Sequence, residues 1–412
     1  MKTMTMETEQ QALQHSKAYF AAVFTLCFVS SVLGGSVSTL MSVYLPVVLK
    51  DLQAGIKPDA VDSVSGLINA LFIYGWAVGG FTWGLISDRI GRKKALLSSI
   101  ICYGIFTILT GQMHQWTGVM ACRFLSGFGV GGEMVIAMTL ISEIWPKRGK
   151  AIMIGILSIA FPIGIFGAGA INVITPLWRQ GFLIGAVPLA MALIGIFVIS
   201  ESAEWRQHRN QYQQKQSVFS AENRGELIAG SLLFGTMLIG LWAIFSWLPS
   251  WIQSLTTGDA AKERGLSMMF MGMGGLTGGF FSGWLVNVLG LRRSIVLCFA
   301  VCTMLSFVLF KTNTSITSMV FIEIGILALF FGISQGVLSS YIPQLFQTGI
   351  RATATGFCFN IGRLFTATAV LFIGVLVSTL GGYGNAIFLF SLVFVLGFIV
   401  VMIMPEKSQT NN

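Results

Sequence analysis

Two arginines and two glutamates, Arg123, Arg363, Glu133 and Glu323, stand inside stretches that are otherwise apolar. A charge in such surroundings is expensive unless it meets an opposite charge, a polar ligand or a route to water. A guanidinium stays protonated under all ordinary conditions, so Arg123 and Arg363 suit holding an anion or joining an ion network. A carboxylate can exchange a proton, which makes Glu133 and Glu323 the candidate coupling groups. Neutral hydrogen-bonding groups lie on the same stretches: Gln335, Tyr341 and Gln344 on one, and Asn360 one turn before Arg363. Such groups suit a polyol or a carboxylate. Trp247, beside Pro249, offers an indole that can stack on a ring; Trp251 reads as an interfacial belt residue.

A second constellation is a charged knot, Gly84-Leu-Ile-Ser-Asp88-Arg89-Ile-Gly91-Arg92-Lys93-Lys94. It returns in worn form 199 residues later as Gly283-Trp-Leu-Val-Asn287-Val-Leu-Gly290-Leu-Arg292-Arg293. A carboxylate at a helix end with a guanidinium beside it can latch helix ends in one conformational state and release them in another. Gating is therefore expected of Gly84, Asp88, Arg89, Gly91 and Arg92, with plain cytoplasmic anchoring as the competing reading for Arg92, Lys93 and Lys94. Glu143, Arg148, Glu201 and Arg351 stand at the same ends of later stretches and join the expected gate. Asn287 replaces the acid in the second copy, so the latch is expected to be stronger in the first half.

The elements that hold these residues follow from composition. Of 412 residues, 54% are hydrophobic and only 10% charged, whereas soluble domains carry about 25% charged residues. The apolar stretches are long enough to cross a ~30 Å hydrocarbon core as helices. They lack the alternation of barrel strands. The expected fold is an all-α membrane protein of twelve transmembrane helices in two pseudo-symmetric six-helix bundles. The spans run near 18–42, 64–87, 94–112, 117–143, 150–172 and 179–200, then 227–254, 265–287, 293–311, 316–345, 352–379 and 383–404. Residues 1–200 and 227–412 form the two bundles and the polar segment 201–226 links them. The Glu143…Arg148 loop pairs with Gln344…Arg351, and Ser200-Glu201-Ser202 pairs with Pro405-Glu406-Lys407, at offsets close to that of the knot.

With the N-terminus inside, the tails and cytoplasmic loops hold 17 of the 25 Lys and Arg, and the opposite side six. That bias puts both termini in the cytoplasm of a multi-pass protein of the cytoplasmic membrane. The net charge of +9 lies in those loops, so no nucleic-acid partner is expected. The six cysteines fall inside spans without metal-ligand spacing, and His15, His114 and His208 sit in tails or loops. No cofactor, no metal and no enzyme activity are expected.

On these motifs the chain resembles the major facilitator superfamily over nearly its whole length. The 84–94 segment resembles the family's loop 2–3 motif, and Arg123-Phe-Leu-Ser-Gly127-Phe-Gly129-Val-Gly131-Gly132-Glu133 its fourth-helix motif. Glu143…Arg148-Gly149 and Glu201-Ser202-Ala-Glu204-Trp205 resemble cytoplasmic ends of the sugar-porter and metabolite–proton symporter branches. Gly356-Phe-Cys-Phe-Asn360-Ile-Gly362-Arg363 is similar to the eleventh helix of sialic-acid and aromatic-acid permeases. The resemblance implies a secondary transporter whose helices 1, 4, 7 and 10 line a cavity. Its two halves would rock about that cavity, with Asp88 stabilising the outward-facing form.

The chain departs from the proton-coupled relatives at one place. Many of them pair an Asp on helix 1 with the helix-4 Arg, but span one here offers only Ser30, Ser31, Ser36, Ser38 and Thr39. Either Glu133 carries a proton, or another ion couples, or the protein is a uniporter. The expected cargo is a small polar metabolite, first an organic anion such as a sugar acid and second a neutral sugar. A channel and a non-transporting receptor are the alternatives of another class. The internal duplication lets a monomer in the bilayer suffice.

Overall fold

The computed structural model describes residues 17–52, 56–57, 60–146, 149–208, 219–347 and 350–403. Arg148, with Pro405-Glu406-Lys407, lies outside the described residues. In lipid a backbone must satisfy its own polar groups, and a helix does this within a single segment. Among the described residues twelve long helical elements follow. In the first half they are α1 (Lys17–Asp51), α2 (Val61–Ile90), α3 (Arg92–Gln112), α4 (Trp116–Ile144), α5 (Lys150–Ser158 and Ala160–Ile174) and α6 (Trp178–Gly181, a 3-10 turn, then Ala186–Val198). The second half holds α7 (Arg224–Ser254), α8 (Ala261–Leu289), α9 (Leu291–Phe307, with a π turn to Thr312), α10 (Ser318–Tyr341), α11 (Arg351–Leu376) and α12 (Tyr383–Ser391 and Val393–Ile403).

Among the described residues eleven helices are long and apolar enough to cross a bilayer. The twelfth, α8, has the length, but seven of its 29 residues are glycine, which dilutes its hydropathy. Two of the differences from the sequence reading concern α1 and α5. The first helix continues through Pro46 to Asp51, beyond the break expected near residue 42. The fifth is interrupted at Ile159, because Pro162 has no N–H to offer the carbonyl four residues earlier.

The chain divides into two compact units, Met1–Gln214 and Lys215–Asn412. Within the first, α2 packs along α4, α1 along α5, α3 on α4 and α6 on α3. The second repeats this scheme as α8 with α10, α7 with α11, α9 with α10 and α12 on α9. Small residues let the paired helices approach closely. A Cβ on Gly75 or Gly79 would overlap the Phe124 or Phe128 carbonyl of α4, and one on Gly127 or Gly131 would overlap the Phe72 or Trp76 carbonyl of α2. In the second unit Gly274, Gly278 and Gly332 do the same between α8 and α10. The duplication is thus one of packing as well as of sequence.

The outward faces of α5, α6 and α12 are apolar: Ile174 is 79% exposed, Phe197 88% and Ile403 76%. Apolar patches of that extent on a soluble monomer would demand a partner; here lipid is the solvent. Trp251, expected in an interfacial belt, is 3% exposed and packs edge-on against Phe310. It is a core residue of the second unit, because Pro249 does not end α7 and the helix carries the indole inward.

Candidate functional site

The fourth helix carries both membrane-depth charges of the first unit. Arg123 and Glu133 are each 1% exposed and stand ten residues apart, ~15 Å along a helix. They do not meet one another. Instead both reach α1, which runs antiparallel beside them. The Glu133 carboxylate accepts hydrogen bonds at Oε1 from Ser30 Oγ at 2.5 Å and Ser31 Oγ at 2.9 Å. The Arg123 guanidinium donates to the carbonyls of Val37 at 3.0 Å and Ser38 at 3.3 Å. It also lies 4.0 Å above the Phe72 ring of α2, a cation–π contact. Among the described residues its Nε has no hydrogen-bond partner. Among the described residues no carboxylate pairs with Arg123 and no cation pairs with Glu133. The missing acid of helix 1 has therefore been replaced by neutral oxygens at two points two turns apart.

Beside Glu133 lies a small cavity walled by Ser31, Gly34, Val130, Met138 and Phe161 from α1, α4 and α5. Glu133 Oε2 is on the Gly34 side: a Cβ there would sit 3.5 Å from it. Glycine at that position leaves the carboxylate oxygen room.

The charged knot builds a different site, at the end of α2. Gly91, at φ 102°, ends α2 and starts α3 within a single residue, a backbone state open to glycine at little cost. Glu201 Oε1 then accepts from the first N–H groups of α3, Arg92 N at 2.7 Å and Lys93 N at 3.2 Å. A carboxylate there satisfies orphan donors and complements the helix dipole. The carboxylate occupies the space a Cβ on residue 91 would need. The Arg92 side chain bridges Asp88 at 2.6 Å and Glu143 at 2.9 Å and donates to Ser87 Oγ. Trp205 of the short helix Ala203–His208 closes the cluster, its indole N–H donating to the Asp88 carbonyl at 2.9 Å.

Arg92 is thus the hub of the expected latch, while Arg89 is exposed and a Cβ on Gly84 would meet open space. In the worn copy Gly290 keeps the turn at φ 80° with nothing near its Cβ position. The backbone device survives there with Asn287 and Leu291 in the places of Asp88 and Arg92.

In the second unit Trp247 is fully buried, its indole N–H donating to the Val370 carbonyl of α11 at 3.1 Å, with Tyr383 5.7 Å away. Arg363 is half-buried and donates to Asn360 Oδ1 at 3.2 Å; Asn360 in turn donates to the Gly356 carbonyl. Gln335 and Tyr341 are half-buried on α10. Glu323 accepts from Asn313 at 2.7 Å, just past the end of α9, so it serves the helix junction. Arg351 is exposed and donates to the Phe346 carbonyl.

Sequence reasoning left Phe72 and the Ser30–Ser31 pair without a role. The only signal for the serines was adjacency of two hydroxyls in an apolar run. Phe72 had none, because which ring faces Arg123 depends on the α2–α4 glycine crossing. Among the described residues no cluster of metal-ligating side chains occurs.

Residues 19–367 match the Major Facilitator Superfamily. The chain is similar to a probable 4-methylmuconolactone transporter of Cupriavidus pinatubonensis (strain JMP 134 / LMG 1197), 30% identical over 361 residues, which span 83% of this chain and 81% of that one. It is similar to the cis,cis-muconate transport protein of Acinetobacter baylyi (strain ATCC 33305 / BD413 / ADP1), 26% identical over 93% of this chain and 94% of that one. The sialic acid transporter NanX of Escherichia coli (strain K12) is 28% identical over 81% of this chain and 82% of its own. The partially occluded inward-open xylose transporter XylE from E. coli shares the fold, with a TM-score of 0.79 at 15% identity over 96% of this chain and 100% of that one. With its helices paired twice over in one scheme, the chain belongs to the Major Facilitator Superfamily, and it is a membrane transporter rather than an enzyme.

Proposed function

We propose that this transporter moves a small organic anion, a carboxylate such as a sugar acid or an unsaturated or aromatic acid. It does so across the cytoplasmic membrane by alternating access, as a monomer with both termini in the cytoplasm. The observation that carries the reading is Arg123, a permanently charged group 1% exposed, held among the described residues by two carbonyls and a ring. A carboxylate would compensate that charge as neither carbonyls nor a ring can. The relatives named for muconate, 4-methylmuconolactone and sialic acid point to the same class of cargo.

Asn360, Arg363, Gln335 and Tyr341 are the second unit's candidates for contacts to the cargo. The cluster of Asp88, Arg92, Glu143 and Glu201 is the candidate cytoplasmic gate. A neutral sugar is the second reading, favoured by the sugar-porter-like ends at Glu143 and Glu201.

The test is a thermal-shift screen of the purified chain with cis,cis-muconate, benzoate, sialic acid and xylose, repeated on Arg123→Gln. Hydrogen bonds to a charged group contribute about 1.5–3 kcal/mol, so losing this one weakens binding of the stabilising acid about 10- to 150-fold. Stabilisation by xylose alone, or an acid bound equally by Arg123→Gln, overturns the proposal.

A further inference from the structure

We infer that Asn172 reads a hydroxyl group on the cargo, which makes the cargo a hydroxy acid with its carboxylate on Arg123 and its hydroxyl on the Asn172 amide. This rests on the transport reading above and narrows its cargo to one class.

The first observation is an amide that nothing meets. Asn172 is 0% exposed, and neither its Oδ1 nor its Nδ2 has a hydrogen-bond partner among the described residues. Burying a donor and an acceptor in this way forfeits their hydration without return. The side chain stands on a stripe of α5 whose neighbouring members, Ile165 and Ala168, are buried and apolar. A leucine would suit those surroundings better, so packing does not account for the amide. Nor does Asn172 cap α5. At that helix end the Thr175 N–H donates to the Ile171 carbonyl, and the Tyr44 hydroxyl donates to the carbonyls of Ile171 and Thr175. Alternating access opens and closes the space that a cargo fills, so a group kept for cargo goes unmet whenever that space is shut.

The second observation is where the amide stands. The helix Ala160–Ile174 is unbroken from Phe161 to Asn172. Eleven residues make about three turns, which leaves the two within ~20° of one another on a single stripe. The Phe161 ring packs 5.4 Å from Trp76 of α2, Trp76 lies 6.2 Å from Phe72, and Phe72 lies under the Arg123 guanidinium. The stripe thus faces the side of the unit that Arg123 occupies. Its level follows from α1, which runs parallel to α5: Ser36 donates to the Gly164 carbonyl, and Tyr44 to those of Ile171 and Thr175. Asn172 is then level with α1 near Val43, whereas Arg123 holds Val37 and Ser38. About five to six residues separate the two levels, or ~8 Å along the helix. That separation suits the two ends of one small molecule.

The third is the chemistry of the amide, which selects the group it reads. It offers one acceptor and one donor group. A second carboxylate only accepts, and would leave Oδ1 unmet. An ammonium only donates, and would leave Nδ2 unmet. A hydroxyl donates and accepts, and so answers both atoms.

The test is a ligand titration by thermal shift on the purified full chain. The ligands are the matched pair benzoate and 4-hydroxybenzoate, with sialic acid and xylose. Wild type is compared with Asn172→Leu and Asn172→Val, which remove the amide and keep a branched side chain. Both variants are expected to bind 4-hydroxybenzoate or sialic acid about 5- to 150-fold more weakly, the range for a buried polar group left unmet, and to bind benzoate unchanged. Unchanged affinity for the hydroxy acids, an equal loss for benzoate, or wild-type binding of benzoate but of neither hydroxy acid overturns the inference. Xylose separates it from the cargo reading. If xylose alone binds, the anion reading fails, yet the variants must still weaken xylose; an unchanged affinity refutes the role of Asn172 as well. The ligand-free chains supply a second arm. Exchanging an unmet amide for an apolar group forfeits no hydrogen bond, so at least one variant must unfold no earlier than wild type. Earlier unfolding of both means that the fold itself meets the amide, and is a refutation.

Discussion

Replacing Arg92 tests whether the cytoplasmic cluster is organised around that residue. Its side chain is 12% exposed and holds two carboxylates of unequal burial, Glu143 at 11% and Asp88 at 50%. Removing one partner of a buried pair costs about 3–5 kcal/mol, because the other charge is left uncompensated. An exposed pair contributes only about 0–1 kcal/mol. Arg92→Gln is therefore expected to destabilise by about 3 kcal/mol, nearly all of it from stranding Glu143, while Asp88→Asn costs no more than about 1 kcal/mol. The double variant Arg92→Gln/Glu143→Gln removes both charges, and its loss should be smaller than that of Arg92→Gln alone by about 2 kcal/mol. Denaturant unfolding of the purified chain in one lipid–detergent mixture measures all three. An Asp88→Asn loss equal to that of Arg92→Gln, or a double variant no more stable than Arg92→Gln, would refute the argument, since either result places the energetic centre elsewhere.

Two glycine comparisons test the backbone arguments. Gly127→Val puts a branched side chain onto the Phe72 carbonyl and is expected to cost about 3 kcal/mol or more; Gly84→Ala, with open space around it, should leave unfolding unchanged, and equal losses would count against the close α2–α4 crossing. Gly91→Ala and Gly290→Ala both force alanine to a positive φ, worth about 1–3 kcal/mol of strain. Only Gly91→Ala also displaces a carboxylate, that of Glu201, so its unfolding midpoint must fall further; a larger fall for Gly290→Ala rules out Glu201 as the α3 cap.

Much of the fold was legible because its causes are local. The apolar stretches had to be helices in lipid whatever their partners, and the knot at Gly84–Lys94 with its copy at Gly283–Arg293 revealed the duplication. The turn at Gly91 was implicit too, since a glycine between two helices marks a backbone state that other residues rarely adopt. The candidate site was legible as residue types but not as pairs. In the motif Arg89 reads as the latch and Arg92 as readily as an anchor, yet among the described residues it is Arg92 that reaches Asp88 and Glu143. It stands at the start of α3, turned back toward the cluster by Gly91. Trp247 and Trp251 read as cavity or interface residues, and α7 buries both against the second unit's own helices.

The sequence by itself determined that this chain lives in a membrane, that it is built twice from one plan, and that α4 carries two charges lipid cannot solvate. Those conclusions follow from hydropathy and periodicity, which are properties of one segment at a time. Only the tertiary structure decided what those charges meet. The α2–α4 glycine crossing sets Phe72 under Arg123, and the antiparallel run of α1 sets Ser30 and Ser31 against Glu133. Partners so far apart in the chain are chosen by how helices cross, and no single stretch of sequence encodes a crossing.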